Sequence, residues 1–149
     1  MKQGLFHCEI GMADKLAMVV FSGTVDRLMP VGIIASGAVA MGLDVEVFLT
    51  FWGLNSFRKE SLTSNTKMSR DYEDMAPMMM QLMKTKNVPS WFDTLKKAKE
   101  IGNVRIHACA MTYDLMNMKK EDLADIVDDV MAVGEFVDIA KDAKFTLFI

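Results

Sequence analysis

A thiol and an imidazole lie two positions apart at the end of a short apolar run, His107 and Cys109 in VRIHAC. An extended strand puts residues at this spacing on one face, so both side chains look the same way. Met111 or Thr112 opens a helical turn directly after the run. A cysteine beside a helix N-terminus sits in partial positive charge, which favours the thiolate, and an imidazolium on the same face adds to it. The thiolate is the form that attacks sulfur and other soft electrophiles. The competing reading is packing: free cysteine behaves as a small buried hydrophobe, and His107 is then a satisfied core or interface histidine. Asp114, just past the turn, either orients a donor or caps the turn. A second thiol, Cys8, follows His7 near the N-terminus. It either resolves a bond formed at Cys109 or belongs to a solvated tail.

Ligands of open parallel sheets bind at the carboxyl ends of the strands. Two such ends are readable besides that of Cys109: Ser22-Gly23-Thr24 and Thr50-Phe51-Trp52-Gly53. Gly23 and Gly53 let a ligand or a backbone approach closely. Trp52 either stacks on a ligand or packs at the sheet edge. The stretch Ser22 to Asp26 is too short and too poor in glycine for a P-loop or a GxGxxG turn, and it matches a flavodoxin-type phosphate loop only weakly. Neither cysteine belongs to a CxxC pair, no Ser/His/Asp arrangement is legible and no cluster has zinc spacing. No metal and no cofactor is expected. Methionine numbers 15, many of them between Met68 and Met83. That run is either a soft-metal or sulfur-handling surface or, the plainer reading, adaptable packing at a subunit interface. No Cys or His is interleaved with it, which favours the plainer one.

The elements that must position these residues follow from periodicity. Residues 1–14 read as a flexible arm. Lys15 to Phe21 is a continuous apolar run, as in a strand buried on both faces. Asp26 and Pro30 open a helix that runs to about Met41, where Gly42 stops it. That helix is apolar or small all round, so one side meets the sheet and the other meets a helix or another subunit. Leu43 to Phe51 is the second strand. Residues 58–70 are polar and loop-like, and Asp71 to Lys84 is a helix that Pro77 kinks or starts. Together residues 58–90 form a polar and Met-rich insertion or lid. Ser90 caps a helix over Trp91 to Ile101. Val104 to Cys109 is the third strand, and Tyr113 to Met118 a helical turn. Lys120 to Ala140 holds an amphipathic helix, with Leu123, Ile126, Val127, Val130, Val133, Phe136 and Val137 at helical spacing and Asp128 and Asp129 on its solvated face. Phe145 to Ile149 closes the chain as a strand. Strands alternating with helices predict one three-layer α/β domain over residues 15–149, with a mostly parallel sheet.

Composition narrows the function. The 149 residues suit one core. A net charge of −3 argues against a nucleic-acid surface. No run approaches the roughly 20 apolar residues of a membrane span, and the first residues do not read as a signal peptide. A cytoplasmic protein with free thiols is the expectation.

Three stretches together resemble the DsrE/DsrF/DsrH-like proteins, within them the DsrE-related, peroxiredoxin-like subgroup: KLAMVVFSG at 15–23, VFLTFWGLN at 47–55 and ACAMTYDLMNMKKEDL at 108–123, leading to TLFI at the end. The resemblance covers about residues 15–149. It implies a flavodoxin-like fold, a homo- or hetero-oligomer, and a cysteine after a strand that holds sulfane sulfur as a persulfide. The matching position is Cys109. Where relatives commonly carry Gly after this turn, the chain has Asn117, which tolerates a left-handed backbone. A sulfur carrier or sulfurtransferase acting between donor and acceptor proteins is the implied function, with His107, Thr112 and Asp114 in support and Ser22, Gly23, Thr50, Trp52 and Gly53 shaping the pocket. The alternatives are an oligomeric module that binds a nucleotide, coenzyme or partner protein at the same sheet edge, and a redox-sensing thiol.

Overall fold

The computed structural model describes residues 13–149. Cys8 and most of the expected arm lie outside them. Of the arm's last residues, the Asp14 carbonyl accepts the Asp44 amide at 2.9 Å and the Asp14 carboxylate pairs with Lys144 at 2.8 Å.

Three runs rich in Val, Leu and Ile form the centre of the sheet: β1 (Lys15–Val20), β2 (Asp44–Leu49) and β3 (Val104–Cys109). Two short strands flank them, β4 (Asp129–Met131) beside β3 and β5 (Phe145–Phe148) beside β1. The order is β4-β3-β2-β1-β5, and every pairing is parallel. All carboxyl ends therefore lie along one edge, as the alternating pattern predicts.

The two faces of this sheet are covered unequally. One face presents Met18, Val20, Val47, Leu49, Ile106 and Ala108, all buried. Helices α1 (Val25–Ala40) and α4 (Trp91–Ile101) lie over it and pack on each other. The all-apolar α1 thus meets the sheet on one side and α4 on the other. Gly32 permits that approach: a Cβ there would sit 3.0 Å from the Thr94 side chain. Ser90 caps α4 as expected, its hydroxyl accepting the Asp93 amide at 3.0 Å. The opposite face presents Ala17, Val19, Glu46, Phe48, His107 and Cys109, since neighbours in register share a face. Among the described residues, only the short helix α6 (Val133–Ala140) packs over it, through Phe136, whose ring stacks on Phe48 at 4.7 Å.

The second strand, expected to run to Phe51, ends at Leu49, and the structure redraws three further elements. Helix α1 starts at Val25, so Pro30 lies inside it rather than in its opening turn. The helical turn after β3 is α5 (Ala110–Leu115), three residues earlier than the expected Tyr113 start. The long helix expected within Lys120 to Ala140 is absent. A 3-10 turn (Lys120–Asp122), an extended Leu123, β4 and α6 stand in its place. Long-range backbone bonds decide this: the Ala124 amide donates to Phe57 O and the Asp128 amide to Ile106 O, both at 2.8 Å. Asp128 and Asp129 accordingly leave the solvated face and bind Lys99 and His107.

In the 58–90 segment, 3-10 turns (Lys59–Ser61 and Arg70–Met75) precede the Met-bearing α3 (Ala76–Thr85), which Pro77 helps to start. Its polar part is bound to the head of α1. Asn65 donates to Gly23 O at 2.8 Å, Val25 N donates to Lys67 O at 2.7 Å, and the Ser69 hydroxyl and amide donate to Asp26.

Candidate functional site

Cys109 ends β3 and is the residue from which α5 departs. The register that pairs Leu49 with Ala108 carries Thr50, the next residue of its strand, to the side of Cys109. Thr112, on the first turn of α5, is fully buried and joins the two strand ends. Its hydroxyl lies 3.1 Å from Thr50 Oγ1 and accepts the Phe51 amide at 3.1 Å. Phe51, which opens the short α2 (Phe51–Ser56), has φ +45, an unusual conformation for a bulky residue. The Thr112 bond holds it there.

Cys109 is only 4% exposed. Burial alone pushes a thiol up, because the anion loses water. Four neighbours outweigh it here: the Thr112 amide and hydroxyl, the Thr50 hydroxyl and the Met111 amide, which together bring Cys109 below the ordinary cysteine range. The sulfur makes no formed cap bond. What favours the thiolate is a set of N–H and O–H groups crowded around it.

Cys109 opens onto an apolar groove of about 730 Å³ between α6 and the thinly covered sheet face, walled by Phe48, Met111, Val133, Phe136, Val137 and Phe148. Its outer rim is exposed, with Phe148 at 72%.

The other expected site residues fall elsewhere. Ser22, Gly23 and Trp52 line a separate polar pocket of about 410 Å³ with Asn55, Asn65 and Lys67. Gly53 lines neither. It packs on the β1 backbone, where a Cβ would sit 2.1 Å from Val20 O. Asp114 is exposed and, among the described residues, makes no side-chain hydrogen bond. His107 shares the sheet face of Cys109 but is spoken for: Nε2 meets Glu46 Oε2 and Nδ1 meets Asp129 Oδ1, each at 2.6 Å. It has no nitrogen left for the sulfur. Among the described residues no group of His, Cys, Asp and Glu is arranged to hold a metal ion. Glu46, Phe136 and Asp129 are neighbours of the site that the sequence did not place there: its pattern puts Phe136 and Asp129 on one amphipathic helix, Asp129 on the solvated face. A lone carboxylate inside VEVFL was the legible signal for Glu46.

The model of the DsrE/DsrF/DrsH-like family matches residues 12–80 and 64–148. The chain belongs to this family. Two relatives align along nearly their whole length. The uncharacterised protein YrkE of Bacillus subtilis is 33% identical over 91% of this chain and 96% of its own. The sulfur carrier protein DsrE2 of Allochromatium vinosum is 30% identical over 91% of this chain and 98% of its own. Among solved structures, a protein of unknown function from Methanobacterium thermoautotrophicum, MTH1491, shares the fold at a TM-score of 0.57 and 17% identity, covering 91% of this chain and 99% of that one. The DsrE/DsrF/DrsH-like family match thus spans residues 12–148, and Asn117 takes the left-handed backbone expected of it, with φ +47. No helix among the described residues is long and apolar enough to cross a membrane.

Proposed function

We propose that this chain is a sulfur carrier that holds sulfane sulfur as a persulfide on Cys109 and passes it to a protein acceptor in the cytoplasm. The observation that carries the reading is the thiol at the end of β3, ringed by Thr50, Thr112 and Met111 and open to the groove. The name of the Allochromatium relative supports it.

The chemistry is thiol–disulfide exchange applied to sulfane sulfur. The Cys109 thiolate attacks a sulfane sulfur of a polysulfide donor. One S–S bond forms as another breaks, and the shortened polysulfide leaves with the electron pair. Cys109 is left as the persulfide. An acceptor thiolate then attacks the outer sulfur, and Cys109 departs as the thiolate. Neither step needs a net oxidant or reductant. The N–H and O–H groups that favour the thiolate also stabilise it as the leaving group. The apolar rim of Met111, Val133, Val137 and Phe148 is the natural seat for an acceptor or for a second copy of the chain.

The test is intact mass spectrometry after polysulfide treatment. The wild type and Cys8→Ser gain sulfur and lose it to dithiothreitol; Cys109→Ser gains none. Equal uptake by Cys109→Ser overturns the proposal.

The polar pocket of Ser22, Gly23, Trp52, Asn55, Asn65 and Lys67 favours a second reading, a module that binds a nucleotide or coenzyme. Thermal stabilisation by such a ligand, retained in Cys109→Ala, would support it.

A further inference from the structure

The sulfur chemistry leaves one buried ionisable group unused. His107 is 0% exposed on the central strand β3, flanked by Glu46 from β2 and Asp129 from β4. Both neighbours are carboxylates, which only accept when ionised. An imidazolium donates to both. A neutral imidazole has one N–H and turns a lone pair toward the other carboxylate.

The two partners are not equivalent. Glu46 is nearly enclosed in the middle of the sheet, whereas the Asp129 side chain is 37% exposed on a strand of three residues. The Asp129 side is where the arrangement yields. One residue earlier, Asp128 is held independently, with Lys99 Nζ at 2.6 Å and the Ile106 amide at 2.7 Å. That anchor fixes the start of β4, whose three residues then pair with His107, Ala108 and Cys109 of β3; the His107–Asp129 contact adds to this short edge ladder. One residue beyond β4 comes α6, which supplies Val133, Phe136 and Val137 to the Cys109 groove.

The remaining charges around His107 do not substitute for this bridge. Arg105, on its own strand, reaches Asp129 at 3.5 Å from an exposed position. β1 offers Ala17 opposite Glu46. The charges of α6 are exposed: Glu135 turns back to the Ala132 amide, and Asp138 pairs with Lys141.

We propose that His107 is a positioning residue: as an imidazolium bridging Glu46 and Asp129 it pins β4, and with it α6, against the sheet and so sets the wall of the Cys109 groove. Loss of the proton releases the Asp129 side and loosens that wall. Burial disfavours the charged ring, but the bonds and charges of Glu46 and Asp129 outweigh it and raise His107 above the ordinary histidine value. The pinned state is therefore complete below the ordinary histidine value and is lost as pH rises through the raised one.

The experiment uses the full chain and needs no sulfur chemistry, so its failure is separate from failure of the persulfide reading. The chain has two histidines, so His7→Gln leaves a single imidazole for NMR titration. Hydrogen–deuterium exchange of residues 129–140, corrected for intrinsic rates, is followed across the same pH range. Protection should fall about tenfold as His107 deprotonates, the worth of one hydrogen bond to a charged group, while β1 and β2 stay protected. The fall should persist in Cys109→Ser, which removes titration of the thiol as the cause. It should vanish in His107→Gln, and Asp129→Asn should lower the His107 midpoint. Protection of residues 129–140 that ignores the His107 titration in the wild type overturns the proposal, whether or not the variants fold.

Discussion

The two faces of the sheet are built from the same strands and do different work. Under α1 and α4, the inward residues of β1, β2 and β3 are buried against two helices that also bury each other. On the other face, among the described residues, the eight-residue α6 alone covers Phe48 and leaves the groove beside Cys109 open to an exposed rim. The sealed face holds the fold together. The thinly covered face holds the thiol, the buried histidine and most of the exposed apolar surface near them. The proposed sulfur carriage thus divides stability and chemistry between the faces, so substitutions should separate by face as well.

The largest effect belongs to the sealed face. Leu28 is fully buried on α1, and Leu28→Ala should cost about 2–5 kcal/mol in urea unfolding. Val137→Ala on the rim of the groove should cost about 0.5 kcal/mol or less. Similar losses at the two positions would break the comparison. Next comes Gly53→Ala, which forces a Cβ into the Val20 carbonyl and should cost about 1–3 kcal/mol. Unchanged stability would show that α2 shifts freely against β1.

Smaller effects sharpen the account of the open face. Thr112→Val removes a hydroxyl that serves both the thiol and the Phe51 amide. Iodoacetamide labelling of Cys109 at neutral pH should slow severalfold and its pH midpoint should rise, with Thr112→Ser restoring both. The smallest effect is in the pH dependence of stability. His107 is raised above its ordinary 6.5, so its contribution is complete below that value and is lost as pH rises through the folded one. Cys109, lowered, works in the opposite sense: its contribution is present at high pH and fades as pH falls through the folded value. Urea midpoints in a Cys109→Ser background isolate the His107 part, which His107→Gln should abolish.

Much of the fold was legible because its strongest signals are local. The runs KLAMVV and VRIHAC are short and apolar, and Ser90 stands before the periodic stretch of α4, so these elements follow from pattern alone, the first strand ending one residue before the expected Phe21. The stretch Lys120 to Ala140 misled because its apolar spacing fits a helix while its backbone partners, Phe57 O and Ile106 O, lie far away in sequence. The site divides in the same way. Cys109 and the turn after it are contiguous and could be read together. That Thr50 reaches Cys109 depends on the register of β2 on β3, and that His107 meets Asp129 depends on β4 lying at the edge beside β3. Strand order is set by packing across the whole sheet, and no local pattern carries it. Trp52 shows the converse: only two residues after Thr50 in sequence, it faces a different pocket.

The most direct test of the central claim is where sulfur lands on the intact chain. After polysulfide treatment, capping of persulfides and proteolysis, mass spectrometry of both cysteine peptides reads the site. A carrier that works through Cys109 gains one sulfur on the peptide containing Cys109 and retains none on the peptide of Cys8. Sulfur found only on Cys8, or an unmodified Cys109 peptide, would contradict it.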